Sequence, residues 1–201
     1  MQDDPWLDRW LPQICVAAGG LPVLELGCGD GADTATLTAA ELAVVALDVS
    51  AAAIARARDR VPAAHFHVQD VRAALPEQVQ DTGVIIASLS LHYFSWAETV
   101  ALFARLRQTL RPGCLFVCRL NSTLDVHFGA SGHPEIEPGF YLVDGQPKRF
   151  FDAAAINRLL ADGWQRLALE HQWTGKYGPP KALWELVCRR PGADTTAETA
   201  P

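Results

Sequence analysis

Five short apolar runs, each parted from the next by a helical pattern, constrain this chain more than any other feature. They are LPVLELG, LAVVALDVS, AHFHVQD, TGVIIASLS and CLFVCRLN. Apolar runs of this length, bounded by turn formers, read as strands. Between them, residues 33–41 read as a helix. AAAIARARDRV is rich in helix formers, with Ser50 placed to cap it and Pro62 to end it. WAETVALFARLRQTL is long, amphipathic and closed by RPG. This alternation predicts an α/β fold with a mostly parallel sheet. Right-handed crossovers then bring the carboxyl ends of the early strands to one edge. Ligands bind at that edge, near the switch in strand order. DAAAINRLLADGW predicts a further helix capped by Asp152, and WQRLALEHQW and ALWELVCRR predict two last strands. Their closeness suggests a hairpin, which would put one antiparallel strand into the sheet. At the start, residues 5–17 have helical spacing, with Trp6, Trp10 and Leu11 on neighbouring turns.

The chain has 201 residues, enough for one domain with a sizeable core. We expect a single domain over 1–190 and a flexible tail over 191–201. Seventeen basic and 23 acidic residues leave a net charge of −6, which gives no general nucleic-acid footprint. The five cysteines, Cys15, Cys28, Cys114, Cys118 and Cys188, are odd in number and form no CxxC pair. A reducing, cytoplasmic setting fits them better than a disulfide framework. MQDDPWLDRW is acidic and lacks an apolar targeting core, and no run of 18 apolar residues suggests a membrane span. A monomer or homodimer is expected.

Gly27, Gly29 and Gly31 follow the first strand as G-x-G-x-G. A dinucleotide fold wants G-x-G-x-x-G, and here Asp30 and Asp33 would set negative charge against a pyrophosphate. No GK[ST] follows, which excludes a P-loop. A zwitterionic or cationic ligand suits the turn better, with glycine letting the backbone come close. Glu25 at the strand end could hold a water or an amino group, or serve the turn itself. Asp48 closes the second strand, where an acid can accept both hydroxyls of a ribose. Asp70 closes the third and can accept from an adenine amine, while the Val71 N–H offers the ring a donor. Taken together, these features predict a nucleoside.

VLELGCGDG, VVALDVS, FHVQDV, IIASLSLHYF and LRPGCLFV resemble the successive motifs of the class I S-adenosylmethionine-dependent methyltransferases. The resemblance covers roughly residues 6–190 and is strongest over 24–117. It implies a Rossmann-like three-layer sandwich around a seven-stranded sheet, order 3-2-1-4-5-7-6, with strand 7 antiparallel. It implies S-adenosyl-L-methionine as cofactor, held by Glu25, Gly27, Cys28, Gly29, Gly31, Asp48, Val49, Asp70 and Val71. Ser88 would lie beside the reactive sulfonium. Cys114 departs from the commoner RPGG. Two other readings remain: an NAD(P)-dependent oxidoreductase, and a catalytically inactive cofactor-binding scaffold.

The acceptor would be a small molecule, entering over the fourth and fifth strands. His92 could deprotonate or orient it, and Tyr93 lies next to it. Residues 121–151 form a long irregular stretch, read as a substrate-side lid or wall. Asn121, His127, Tyr141, Lys148 and Arg149 from that stretch, with Trp10, Trp173 and Tyr177, are candidate substrate residues. Lys148 and Arg149 could meet an anionic substrate. The spacing of His127, His133, Glu135 and Glu137 matches no metal motif, so no metal is expected. An aromatic wall with a few cations suits a small organic anion or a polarisable nucleophile. The chain looks closest to small methyltransferases grouped with tellurite- and thiol-type enzymes. No catalytic base stands out, which would suit a soft nucleophile such as a thiolate.

Overall fold

Alternate residues of each central strand feed opposite layers, because successive side chains on a strand point to opposite faces. In β1 (Val23–Leu26), Val23 joins one buried cluster and Leu24 and Leu26 the other. In β2 (Val44–Asp48), Val44 and Ala46 face one way, Val45 and Leu47 the other. Both faces are therefore apolar, as a sheet covered on both sides requires. The computed structural model describes residues 4–192.

The remaining strands of the main sheet are β3 (His65–Val68), β4 (Thr82–Ser88), β5 (Leu110–Asn121), β9 (Gln165–Thr174) and β10 (Lys181–Arg189). Their order is β3-β2-β1-β4-β5-β10-β9. The five early strands run parallel, and β10 is antiparallel to both neighbours. This is the expected sheet. Three helices, α1 (Leu11–Ala18), α2 (Ala32–Ala39) and α3 (Ala51–Arg60), cover one face. The other face is covered by α4 (Trp96–Thr109) and α5 (Ala153–Leu160). Local signals start these helices as expected. Ser50 accepts from the Ala53 N–H, and Asp152 from the Ala155 N–H. Ser95 and Glu98 form a reciprocal capping box on α4.

Two expectations change. The amino-terminal helix begins only at Leu11, after turns across 6–10. The stretch over 121–151 is not irregular throughout: β6 (Glu135–Glu137), β7 (Phe140–Val143) and β8 (Gln146–Arg149) form an antiparallel meander. Its strands are only three or four residues long, and each is broken from the next by a glycine with positive φ, Gly139 and Gly145. So short an alternation is masked by its own turns. Of the expected tail, residues 193–201 lie outside the described residues.

Candidate active site

β1 runs straight into the glycine turn because Gly27 takes a φ of +70°, a region that disfavours any side chain. A Cβ there would stand 2.3 Å from the Cβ of Ser90. The bare backbone thus lies against the loop after β4, and the Ser90 hydroxyl donates to the Leu26 carbonyl at 2.6 Å. Gly31 (φ +81°) begins α2, and a Cβ there would stand 3.1 Å from the Cβ of Ala57 on α3. The turn is welded to β2 as well. One Asp48 oxygen accepts from the Gly29 N–H at 2.9 Å, and the other from the Ser50 N–H at 2.8 Å.

These contacts open a cleft of about 720 Å³ at the carboxyl ends of the strands. Gly27, Asp48, Val49, Asp70 and Val71 line it, as does Tyr93 on its far side. The structure adds walls that the sequence reading passed over. Arg72, Leu89 and Ser90 come from the loops after β3 and β4, and Gln146 and Pro147 from the meander. Asp70 is held by Arg72, whose guanidinium donates to it at 2.7 and 3.0 Å and whose backbone N–H donates at 2.8 Å. Those bonds keep the Asp70 carboxyl below its usual range. Leu89 has a φ of +53°, rare for an apolar side chain and often a mark of a functional turn.

Glu25, Cys28, Gly29, Gly31 and Ser88 lie off this cleft's walls. Glu25 is buried under the turn and accepts from the Thr34 hydroxyl at 2.5 Å. Burial, with Asp33 and Asp48 nearby, raises its pKa to about 8, so it carries a proton at neutral pH. The Ser88 hydroxyl accepts from the buried Arg119 guanidinium at 2.7 and 2.9 Å. Arg119 also pairs with Asp4 and lies over the Trp6 ring, whose N–H donates to Asp33. The first described residues are in this way strapped across the sheet edge.

A second hollow of about 180 Å³ adjoins the cleft, and Leu89, Tyr93 and Lys148 line both. Its other walls are His92, Asn121 and Lys181, with Phe128 and Tyr177 meeting edge to face at 6.1 Å. Lys181 donates to the fully buried Asp125 at 2.7 Å. Two buried atoms on these walls, His92 Nδ1 and Asn121 Oδ1, have no hydrogen-bond partner among the described residues. Burial, together with Lys181 and Lys148, holds the His92 pKa down to about 3. The ring is therefore neutral and a poor base, which weighs against the deprotonating role and leaves the orienting one. Phe128 and Lys181 were not expected here. Lys181 opens the last strand after a Gly-Pro-Pro turn, where nothing local marks it as part of a site.

Two candidate substrate residues are corrected. Arg149 is 2% exposed and faces inward. It donates to the Phe94 carbonyl at 3.0 Å and the Pro138 carbonyl at 3.3 Å, pairs with Glu137, and lies over the Phe140 ring. Lys148 and Arg149 are neighbours on β8, so they point to opposite faces, and only Lys148 reaches the cleft. Trp10 is buried among the helices of the α1 layer, where its N–H donates to Glu185 at 3.2 Å. Of the rest, Tyr141 lies opposite Lys148 on β7 and lines neither hollow, and His127 is exposed away from both. Trp173 borders a separate hollow with Arg9 and Arg119. No described helix is long and apolar enough to cross a membrane.

Comparison with known proteins bears on this geometry. Residues 23–113, from β1 into β5, match the family model described as "Methyltransferase domain". An uncharacterised methyltransferase of Synechocystis is 33% identical over 97 residues, 48% of this chain and 45% of that protein. A trans-aconitate 2-methyltransferase of Methylobacterium radiotolerans is 30% identical over 164 residues, 74% of this chain and 61% of that protein. The chain thus spans less than two thirds of the curated relatives it matches here. In fold it is similar to an S-adenosylmethionine-dependent methyltransferase from Mesorhizobium loti, with 22% identity and a TM-score of 0.71. That likeness covers 92% of this chain and 97% of the other.

Proposed function

We infer that the chain is a class I S-adenosylmethionine-dependent methyltransferase and that it transfers a methyl group to a small molecule. The observation that carries this reading is the cleft itself: a bare glycine turn flanked by Asp48, which closes β2, and Asp70, two residues past the end of β3. S-adenosylmethionine supplies an activated methyl group on a sulfonium. The residues present fit that ligand. Each Asp48 oxygen spends one lone pair on a backbone N–H and keeps capacity for one ribose hydroxyl. Asp70, held ionised by Arg72, accepts the adenine amine, and the Val71 backbone donates to the ring. Gly27 offers the ligand bare backbone at the cleft wall, where a side chain would collide with Ser90. Asp48 takes up the Gly29 N–H of the turn and sets a carboxylate beside it, which suits a cationic ligand better than a pyrophosphate, so nothing here favours the oxidoreductase reading.

The chain's part in the reaction is to align the acceptor with the methyl group and to keep water out, since an in-line displacement depends on position. The acidic surface and the small hollow support a small-molecule acceptor over a nucleic acid. The relative from Methylobacterium radiotolerans, named for a small organic acid, supports the same class. Calorimetric titration tests the reading. S-adenosylmethionine and S-adenosylhomocysteine should bind at micromolar levels and NAD should not. The reverse pattern would return the chain to the oxidoreductases, and silence from all three would leave it a scaffold.

A further inference from the structure

We propose that the second hollow seats the carboxylate of the methyl acceptor, with Lys148 as its counter-charge, and that the acceptor is a small organic acid methylated on its carboxylate oxygen. The proposal rests on the methyl-transfer reading above. Charge is the first argument. The cofactor cleft carries two carboxylates, Asp70 paired with Arg72 and Asp48 without an ion pair among the described residues, whereas among those residues no carboxylate lines the hollow. Two ammonium groups do, and only Lys181 is spent on an internal partner, Asp125. Lys148 has no ion pair among the described residues and stands where the two spaces meet.

Unmet hydrogen bonding is the second argument. Buried polar atoms are seldom left without partners, yet among the described residues His92 Nδ1 and Asn121 Oδ1 have none. Both residues sit on the hollow's wall. A ligand carboxylate would satisfy His92 Nδ1 in its N–H tautomer, and Asn121 Oδ1, which can only accept, calls for a hydroxyl or second acid group on the same ligand. The volume, about 180 Å³, falls below the ~300–1,000 Å³ of drug-sized pockets and suits a small acid.

The absence of a base completes the case. His92 is neutral and too weakly basic to take a proton from a thiol, phenol or amine. Burial raises the Tyr93 and Tyr177 phenols, so neither is an anion at neutral pH. The acceptor must therefore arrive already deprotonated. A carboxylic acid does so, with an ordinary pKa near ~4, while a thiol near ~8.5 is mostly protonated. In the step itself, a carboxylate oxygen forms a bond to the methyl carbon. The carbon–sulfur bond breaks with its electron pair going to sulfur, and no proton has to be placed. The products are a methyl ester and a neutral thioether.

The protein, saturated with S-adenosylhomocysteine, is titrated with benzoate against benzamide and with trans-aconitate against its trimethyl ester. At least one free acid should bind and its neutral counterpart should not. Lys148→Met should weaken that binding tenfold or more and leave S-adenosylhomocysteine affinity within about threefold, and Lys148→Arg should restore most of it. With S-adenosylmethionine, the product should be an ester cleaved by mild alkali. Three results overturn the proposal while the methyl-transfer reading stands. The first is S-adenosylhomocysteine binding with neither acid. The second is loss of S-adenosylhomocysteine, not of acid, in Lys148→Met, which would make Lys148 the partner of the cofactor's own carboxylate. The third is methylation of 2-mercaptoethanol in preference to both acids. Failure of S-adenosylhomocysteine to bind at all would remove the methyl-transfer reading, and the proposal with it.

Discussion

The cleft and the hollow share Leu89, Tyr93 and Lys148, but carboxylates line the cleft and, among the described residues, none lines the hollow, and the two come from different kinds of sequence. Acids at the ends of β2 and β3 give the cleft its character. Cations from β8 and β10 give the hollow its character. Within a site of this size, separation of charge lets one wall hold a cationic ligand and the other an anion without the two neutralising each other. The same contrast appears in the buried groups. The cleft side hides Glu25, an acid that keeps its proton, and the hollow hides His92, a base that refuses one. Both stay neutral because burial penalises charge, and like-charged neighbours reinforce it in each case.

Titration against pH gives the largest test of that contrast. The Glu25 carboxyl has an ordinary value of 4.5 and a folded value of about 8. Between those values the folded protein binds the extra proton, so stability should fall as pH rises through the window. His92 works in the opposite sense. Its folded value is about 3 against 6.5, so the unfolded chain binds the extra proton and stability should rise with pH between 3 and 6.5. Glu25→Gln should therefore stabilise the protein at pH 9, by on the order of 4 kcal/mol, while leaving its acid limb intact. His92→Gln should flatten the acid limb alone. Urea unfolding across pH checks both, and identical slopes in the two variants would end the comparison.

Gly27→Ala comes next. Strain at positive φ and overlap with Ser90 should lower stability by about 3 kcal/mol in the same assay. A near-neutral result would mean the loop after β4 yields easily and the cleft is not rigid. Asp48→Ala should weaken S-adenosylhomocysteine about a hundredfold by calorimetry, since hydrogen bonds to a charged acceptor and the anchoring of the turn are lost together. The smallest effect is expected at the rim. Arg72 and Asp70 are both well exposed, so Arg72→Met should change that affinity by no more than about threefold. A tenfold loss would move Arg72 from the rim into the binding machinery.

The cleft was more legible in the sequence than the hollow, and the reason is local. Gly27 and Asp48 sit at the ends of apolar runs and Asp70 two residues past one, so strand ends and chemistry are read from the same few residues. Residues 121–151 show where that reading stops. A wall was expected there, but β6, β7 and β8 are too short for their alternation to stand out from their turns. Lys148 and Arg149 looked equivalent as adjacent cations, and strand geometry sent one to the site and the other into the packing. Trp10 looked like an aromatic for the mouth, and its helix layer buried it against Glu185 instead.

The sequence by itself determined the parallel sheet, the helix caps at Ser50 and Asp152, and the acid-ended strands around a glycine turn. Each depends on period, capping or turn chemistry within a few residues. Tertiary structure alone decided that His92, Asn121, Lys148 and Lys181 surround one space. Those residues lie on four separate segments with no shared pattern, and only the closing of the sheet by β10 beside β5 brings them together.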